Sequence, residues 1–380
     1  MRFIMYHRVL NLPNLLKKKS FFLFGPRGTG KTTLIRNTIS DATVIDLLEI
    51  KTYRDYLRNP SIIAEQNLKS VVVIDEVQKL PELLDEVHRL IENKKLLFLL
   101  TGSSSRKLKR GGANLLAGRA WWADLFPLTS TEIPDFDLLT YFNKGGLPFV
   151  YPSDDYTEEL KAYTALYLKE EIQNEALTRK VPQFIEFLEL MALSNGEEVS
   201  FQSIGRDCGV SPNSIKNYIE ILEDTLVAFQ LKAFTKTKKR KAIFRSKVYF
   251  FDIGVTNSLA NRGEIFDNSE LFGKAFEHFI ILELRAYLSY SRKQVNMSYW
   301  RSTSKFEVDL ILNNKWAIEI KSTKSVNDKH LKGLKALKEE GLIENYAVVS
   351  CDLNERRTRE NINIFPWKIF LDKLWNDEIV

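Results

Sequence analysis

The chain has 380 residues, of which 44% are hydrophobic and 27% charged, with a net charge of +6. That balance describes a folded chain long enough for two or three domains and excludes a disordered or low-complexity polypeptide. No apolar run approaches the roughly 18 residues of a membrane span, and the N-terminal MRFIMYHRVLNLPNLLKKK lacks the continuous apolar core of a signal peptide, so a cytoplasmic protein without membrane contact is expected. The two cysteines, Cys208 and Cys351, are too few for a disulfide framework or a Cys-based zinc site and read as small buried hydrophobes in a reducing compartment.

Residues Tyr6 to Leu16 read as a lead-in helix or turn, and Phe21 to Phe24 as a short apolar strand. The strand runs into Gly25-Pro26-Arg27-Gly28-Thr29-Gly30-Lys31-Thr32-Thr33, the G-x-x-x-x-G-K-[ST] phosphate loop, and then into a helix. In that order glycines let backbone N–H groups close around phosphates, the lysine reaches the β- and γ-phosphates, and the Thr32 hydroxyl is a ligand for Mg²⁺. ATP and Mg²⁺ are the cofactors expected from this segment.

Further apolar runs, Thr43 to Leu47, Val71 to Ile74, Leu96 to Leu100 and Ala120 to Leu125, predict a parallel sheet buried on both faces, with its ligands at the carboxyl ends of the strands. Asp75 and Glu76 stand at one such end: the first is expected to hold Mg²⁺ and the second to polarise the attacking water. At another end, Thr101 and the hydroxyls of Ser103, Ser104 and Ser105 either sense the γ-phosphate or form a plain polar loop. Arg119, before the last of these strands, is a candidate arginine finger that would act in trans in a homo-oligomer, with Arg106 and Arg27 as rivals.

GPRGTGKTTL, the acid pair in VVVIDEVQKLP, the LTGSSS strand end, the GR before a strand and the GGLP at Gly145 to Pro148 together resemble a bacterial and archaeal branch of AAA-superfamily ATPases. The resemblance covers nearly the whole chain and implies an ATPase domain followed by a winged helix and a C-terminal domain of poorly defined function. It also implies that Gly146-Leu147-Pro148 contacts the nucleotide from beyond the sheet, a simple turn being the alternative.

From Tyr156 to Ser194 apolar residues recur at helical spacing, which predicts a helical connector. Residues 199–231 then outline a helix-turn-helix, with Ser211 as N-cap and Pro212 at the first helical position. Its second helix should bury Ile215, Tyr218, Ile219 and Leu222 and present Asn213, Ser214, Lys216 and Asn217 to DNA. A hairpin of Phe229 to Phe234 with Lys247 to Phe251 carries the wing sequence TKTKKRKAIFRSK. Its Lys236, Lys238, Lys239, Arg240, Lys241, Arg245 and Lys247 are either a phosphate-neutralising patch, which makes DNA a partner, or solvated surface and protein contact.

In the last third, a helix Leu271 to Leu288 carries Glu277, and strands Tyr299 to Arg301, Phe306 to Ile311 and Trp316 to Lys321 follow. Alternation places Glu319 and Lys321 on one strand face, where Asp309 of the neighbouring strand can join them. Two carboxylates there suit Mg²⁺, with Lys321 orienting or deprotonating water. Asp309, Glu319 and Lys321 resemble the PD-(D/E)XK motif of restriction-endonuclease-like domains, although Val308 stands where the motif has proline, and a structural ion pair gives the same pattern. Asn345 to Ser350 and Ile362 to Phe370 read as a last strand and a closing amphipathic segment.

The expected architecture is α/β: an ATPase domain with a P-loop AAA-type parallel sheet and flanking helices over residues 1–150, a helical connector over 151–195, a winged helix over 196–262 and an α/β restriction-endonuclease-like domain over 263–380. The expected function is ATP hydrolysis coupled to action on DNA, with metal-dependent cleavage left open. A nucleotide-switched binding or regulatory protein with a silent C-terminal domain is the alternative, and a nucleotide kinase lacks an identifiable acceptor pocket.

Overall fold

The computed structural model describes residues 5–104, 106, 108, 116–168, 181–267 and 269–380. Ser105 and the middle of the expected connector, 169–180, lie outside them. Five parallel strands, β1 (Ser20–Phe24), β2 (Thr43–Asp46), β3 (Val71–Asp75), β4 (Leu97–Gly102) and β5 (Ala120–Asp124), stand in the order β2-β3-β4-β1-β5. Successive β1 residues feed opposite cores, as strand geometry requires. Phe22 and Phe24 pack with Leu83, Val87 and Leu90 of the helix Leu83–Lys94, while Phe21 and Leu23 pack with Leu34 and Ile35 of the helix that follows the glycine-rich loop.

The middle region is helical. Helices Phe201–Asp207 and Pro212–Asp224 form the expected helix-turn-helix outline, and Ser211 caps the second by accepting from Ser214 N at 3.1 Å. Ile215, Tyr218, Ile219 and Leu222 are buried, together with Ile221; Asn213, Lys216 and Asn217 are exposed and Ser214 is half-buried.

The second sheet has eight strands: β6 (Ala228–Ala233), β7 (Lys247–Phe250), β8 (Met297–Arg301), β9 (Glu307–Leu312), β10 (Trp316–Lys321), β11 (Asn345–Ser350), β12 (Arg356–Arg357) and β13 (Asn363–Pro366). Their order is β12-β13-β11-β10-β9-β8-β6-β7. β8, β9 and β10 form an antiparallel meander, and β11 joins β10 in parallel after the crossover helix Lys332–Lys338. Strand β6 forks: Ala228 to Leu231 pair with β7, whereas Lys232 and Ala233 pair with β8. The expected hairpin is therefore present, but it extends the C-terminal sheet instead of projecting from it as a separate wing.

One helix, Glu270–Tyr290, joins the two halves. Ser269 caps it through Phe272 N at 3.1 Å, and its apolar residues recur all around, so it is buried on nearly every side. Phe276, Phe279, Ile280 and Leu284 share a core with Leu310, Ile318 and Val349 of the eight-stranded sheet and with Leu128, Tyr141 and Phe142 from the first half. Among the described residues no helix is long and apolar enough to cross a membrane, and both cysteines are unpaired, Cys208 buried and Cys351 half-buried.

Glu283 of this helix is 2% exposed and accepts from Ser130 N (2.6 Å), Ser130 Oγ (3.0 Å) and Trp375 Nε1 (2.9 Å). Burial outweighs those hydrogen bonds and pushes its pKa from 4.5 up to about 7. Between those values the folded chain holds a proton that the unfolded chain has released, so this group's contribution to stability falls as pH rises through that window. Glu283→Gln should flatten the decline between pH 5 and 8 by on the order of 3 kcal/mol, read from urea midpoints at each pH. Parallel pH profiles for the two proteins would rule out the assignment.

Candidate nucleotide site and carboxylate–lysine centre

The glycine-rich loop leaves β1 at the carboxyl edge of the five-stranded sheet. A Cβ on Gly25 would stand 2.4 Å from the Leu125 carbonyl, and Gly28 and Gly30 adopt φ of +84° and +91°, so these three positions need glycine. Lys31, buried, donates from Nζ to the carbonyls of Gly25 (2.7 Å) and Pro26 (3.2 Å), which folds its ammonium back over the loop. Thr29 is held inside by a hydrogen bond to the Pro26 carbonyl at 2.9 Å. Thr32 Oγ1 donates to Asp75 Oδ2 at 3.1 Å, and Thr33 faces outward.

Asp75 closes β3, and the parallel register brings it beside the end of β4, where Thr101 donates to its other oxygen. Glu76 follows in the left-handed region at φ 57°, a conformation that costs a non-glycine residue about 1 kcal/mol or more and turns its carboxylate out of the strand. Gln78 donates to that carboxylate and to Ser103 Oγ (3.2 Å), and Glu76 N donates to Thr101 Oγ1 (3.2 Å). Lys31, Thr32, Asp75, Glu76, Thr101 and Ser103 thus converge. The arrangement offers a hydroxyl and a carboxylate to a divalent cation and a second carboxylate to a water beyond it.

Two contacts on the loop, from Arg8 and Tyr163, have no sequence motif, and a third comes from the expected Gly146-Leu147-Pro148 segment. Arg8, from the segment read as a lead-in turn, donates from Nη1 to the Thr29 carbonyl (2.7 Å) and from Nη2 to the Phe126 carbonyl (2.6 Å), and pairs with buried Glu132 at 3.0 Å. Tyr163 donates to the Arg27 carbonyl at 2.9 Å. Pro148 and Phe149 crowd Gly30 and Gly28, so the Gly146-Leu147-Pro148 segment does reach the loop, and buried Asp252 holds it by accepting from Gly146 N at 2.7 Å.

Arg119 is not brought to this site. The register sets Ala120 beside Ser20 and Asp124 beside Phe24, so Arg119 lies at the amino edge of the sheet, about 16 Å of strand away from the loop, where it pairs with Glu92. Arg106 is buried and pairs with Asp224, the last residue of the helix Pro212–Asp224, at 3.4 Å. Within one chain neither side chain is placed as a finger; register, which neighbouring letters do not reveal, decides this for Arg119.

The second assembly lies where β9, β10 and the long helix meet. Lys321 Nζ stands 3.2 Å from Asp309 Oδ2 and 2.7 Å from Glu319 Oε1, and Ile320 N donates to Asp309 at 2.8 Å. Glu277 accepts from Tyr249 Oη at 2.6 Å and from Lys247 Nζ at 3.4 Å, and Lys247 also meets Glu307 at 2.7 Å. Lys247, 4% exposed, is therefore an internal counter-ion and not part of a cationic wing. Burial would lower both lysines, but carboxylates outweigh it: Asp309 and Glu319 raise Lys321, and Glu277, Asp309 and Glu307 raise Lys247. Both carboxylates thus favour the ammonium form of Lys321. Glu319 is pushed up to about 8 by burial and then by Asp309, and its Oε2 is buried without a hydrogen-bond partner.

The wing is occupied elsewhere. The backbone N–H groups of Lys238, Lys239 and Arg240 converge on the Glu340 carboxylate at 2.8, 2.9 and 3.0 Å, and Arg240 meets Glu339 at 2.6 Å. These contacts tie the tip to the end of the helix Lys332–Lys338 and offset two of its charges; Lys241 stays exposed. Asn213, Ser214 and Lys216 lie on the separate helix Pro212–Asp224.

Uncharacterised proteins of Mycobacterium tuberculosis and Methanocaldococcus jannaschii are each 24% identical to this chain, the first over 79% of it and 70% of the relative, the second over 93% and 85%. Among solved structures, the Aeropyrum pernix ORC1 protein in complex with DNA covers 68% of this chain and 93% of its own at 12% identity and a TM-score of 0.31. The replication initiator DnaA bound to AMPPCP and single-stranded DNA covers 56% and 85% at 11% identity and a TM-score of 0.29. Residues 135–265 and 272–370 match two domains of unknown function. Residues 17–134 match an AAA domain, and with the phosphate loop, the acid pair and the strand order this part of the chain is a P-loop ATPase-type domain.

Proposed function

We propose that the chain is an ATP-hydrolysing AAA-type ATPase that acts on DNA through its C-terminal half, which we read as a nuclease-like domain. The observation that carries the first part is the 3.1 Å contact between the Thr32 hydroxyl and the Asp75 carboxylate, with Glu76 one residue on. Thr32 and Asp75 would hold Mg²⁺, whose charge offsets that developing on the phosphates. Gly25, Pro26, Arg27, Gly28, Thr29, Gly30 and Thr33 line the loop that receives the phosphates, Lys31 exchanges its carbonyl partners for phosphate oxygens, and Glu76, oriented by Gln78, polarises the water. Arg119, at the far edge of its own sheet, serves only a neighbouring subunit.

The second part rests on the convergence of Asp309, Glu319 and Lys321. Four carboxylates, Glu277, Glu307, Asp309 and Glu319, face two ammonium groups, Lys247 and Lys321, and Glu319 keeps one buried oxygen without a partner. A divalent cation held by Asp309 and Glu319 would offset that surplus and lower the Glu319 pKa. Asn213, Ser214, Lys216, Lys238, Lys239, Arg240 and Lys241 are the DNA contacts in this reading, the tip residues through the charge that Glu339 and Glu340 leave over.

One observation favours the alternative, a nucleotide-switched regulatory protein with a silent centre. Lys321 occupies the space between the two acids, pairing with both.

Lys31→Ala should weaken ATP binding roughly 10- to 150-fold, the worth of a hydrogen bond to a charged group, measured by calorimetry. Glu76→Gln should bind ATP like the wild type yet hydrolyse it about 100-fold or more slowly; full turnover would remove Glu76 from its role. If the finger acts between subunits, mixing Arg119→Ala with Lys31→Ala protein should restore hydrolysis that neither has alone. Cleavage of single-stranded, duplex and branched DNA with Mg²⁺ or Mn²⁺ should be lost in Asp309→Ala; no cleavage by the wild type, with hydrolysis intact, selects the switch.

A further inference from the structure

A cavity of about 430 Å³ opens beside the carboxylate–lysine centre, where residues 195–198, the β6–β7 hairpin, the long helix and β8–β9 meet. Its interior cations are answered: Lys274 by Glu197 (3.1 Å), Arg301 by Glu198 (3.1 Å) and Lys247 by Glu277 and Glu307. Its rim is different. Ile243 N donates to the Arg301 carbonyl (2.8 Å) and Thr303 N to the Lys241 carbonyl (2.9 Å), which lays residues 241–243 antiparallel to 301–303. Arg245, on the cavity wall, Lys241, at the start of this run, and Lys305, in the turn it pairs with, are exposed and make no ion pair with a described residue. Between Ile243 and Arg245, Phe244 is 73% exposed.

A lone exposed apolar side chain is ordinary. An exposed phenyl ring next in the chain to a cation of the cavity wall is a different arrangement, because the ring offers a stacking face and the exposed cations Lys241, Arg245 and Lys305 offer phosphate contacts. The cavity falls in the size range of a small ligand such as a single nucleotide. A duplex keeps its rings paired and stacked inside and offers none to Phe244 unless a nucleotide is turned out.

We propose that this cleft binds single-stranded nucleic acid, one base stacking on Phe244 while the backbone runs over Lys241, Arg245 and Lys305. The proposal names the substrate class of the C-terminal half and rests on its reading as a nucleic-acid-directed domain. Because the interior cations are already paired, few phosphates are neutralised. With three rim cations the affinity for single strands should fall with a log–log salt slope of about −2.

The test is fluorescence anisotropy on the full chain in EDTA without nucleotide, so that neither cleavage nor hydrolysis intervenes, using a labelled single strand of about 12 nucleotides and the matching duplex. The single strand should bind more tightly than the duplex, Phe244→Leu should weaken it about tenfold or more, and Phe244→Trp should restore it. Lys241→Ala with Lys305→Ala should bring the slope towards −1. Wild-type affinity in Phe244→Leu, or equal affinity for the duplex, overturns the stacking site while leaving binding by the rest of this half intact. Displacement of the strand by an equally charged acidic peptide at equal concentration overturns it in favour of a protein partner. Absence of binding to either nucleic acid overturns both the site and the nucleic-acid reading.

Discussion

Everything else in this chain is arranged around the burial of the helix Glu270–Tyr290. An amphipathic surface helix hides one stripe, but this one is apolar on almost every side, so it needs protein all round it, and both sheets supply that. Several of its polar residues reach across to other elements. Glu277 points to the carboxylate–lysine centre, Glu283 receives Ser130, and the Tyr290 hydroxyl accepts from Phe126 N at 3.1 Å beside Arg8. Glu277 and Tyr290 are thirteen positions apart, about 20 Å along the axis. One rigid element therefore runs from the acids of the C-terminal half to the guanidinium that holds the Thr29 carbonyl in the phosphate loop.

That geometry gives the two sites a material connection. Arg8 touches the loop, the edge strand and the helix end at once, and Asp252 does the same work from the other side by holding Gly146 while capping the helix Ile253–Leu259 through Val255 N at 2.9 Å. Burial raises the Asp252 pKa to about 6 in spite of those backbone hydrogen bonds. Arg8 binds two main-chain carbonyls as well as Glu132 and Tyr290, and Asp252 binds main-chain N–H groups, so each ties the backbone near the loop to a helix. A coupling of this kind needs two arrangements of the joint, and the joint is where buried polar groups are concentrated.

Much of this was legible in the letters, and the reasons differ by region. The phosphate loop, Asp75, Glu76 and the β-strands of the first sheet were readable because each depends on residues adjacent in the chain: glycines at positive φ, an apolar run, an acid at its tip. The long helix was readable from its period and the shared face of Glu319 and Lys321 from alternation, whereas the meeting of Asp309 with Lys321 depends on the pairing of β9 with β10, which the letters leave open. Arg8, Gln78 and Tyr163 were not, because each works on a backbone carbonyl or a partner side chain that has no distinguishing letter. Lys247 was misread for a related reason: a lysine in a run of basic residues looks solvated, and only the pairing of β6 with both β7 and β8 turns it inward among carboxylates. Arg119 shows the same limit at the level of register.

The fork in β6 constrains how the molecule can move. A winged helix on a flexible stem can sample many orientations, but here the hairpin shares main-chain hydrogen bonds with β8, and its tip is stitched to Glu340 on the far side of the same sheet. Swinging it free would break a ladder and strip three backbone donors from one carboxylate together, at about 1 kcal/mol or more for each group left unpaired. The basic tip, the Phe244 rim and the acids behind them consequently translate as one body. Gly145 and Gly146, where a side chain would collide with Asp252 or Tyr141, fix the path of the chain between the two halves against that body.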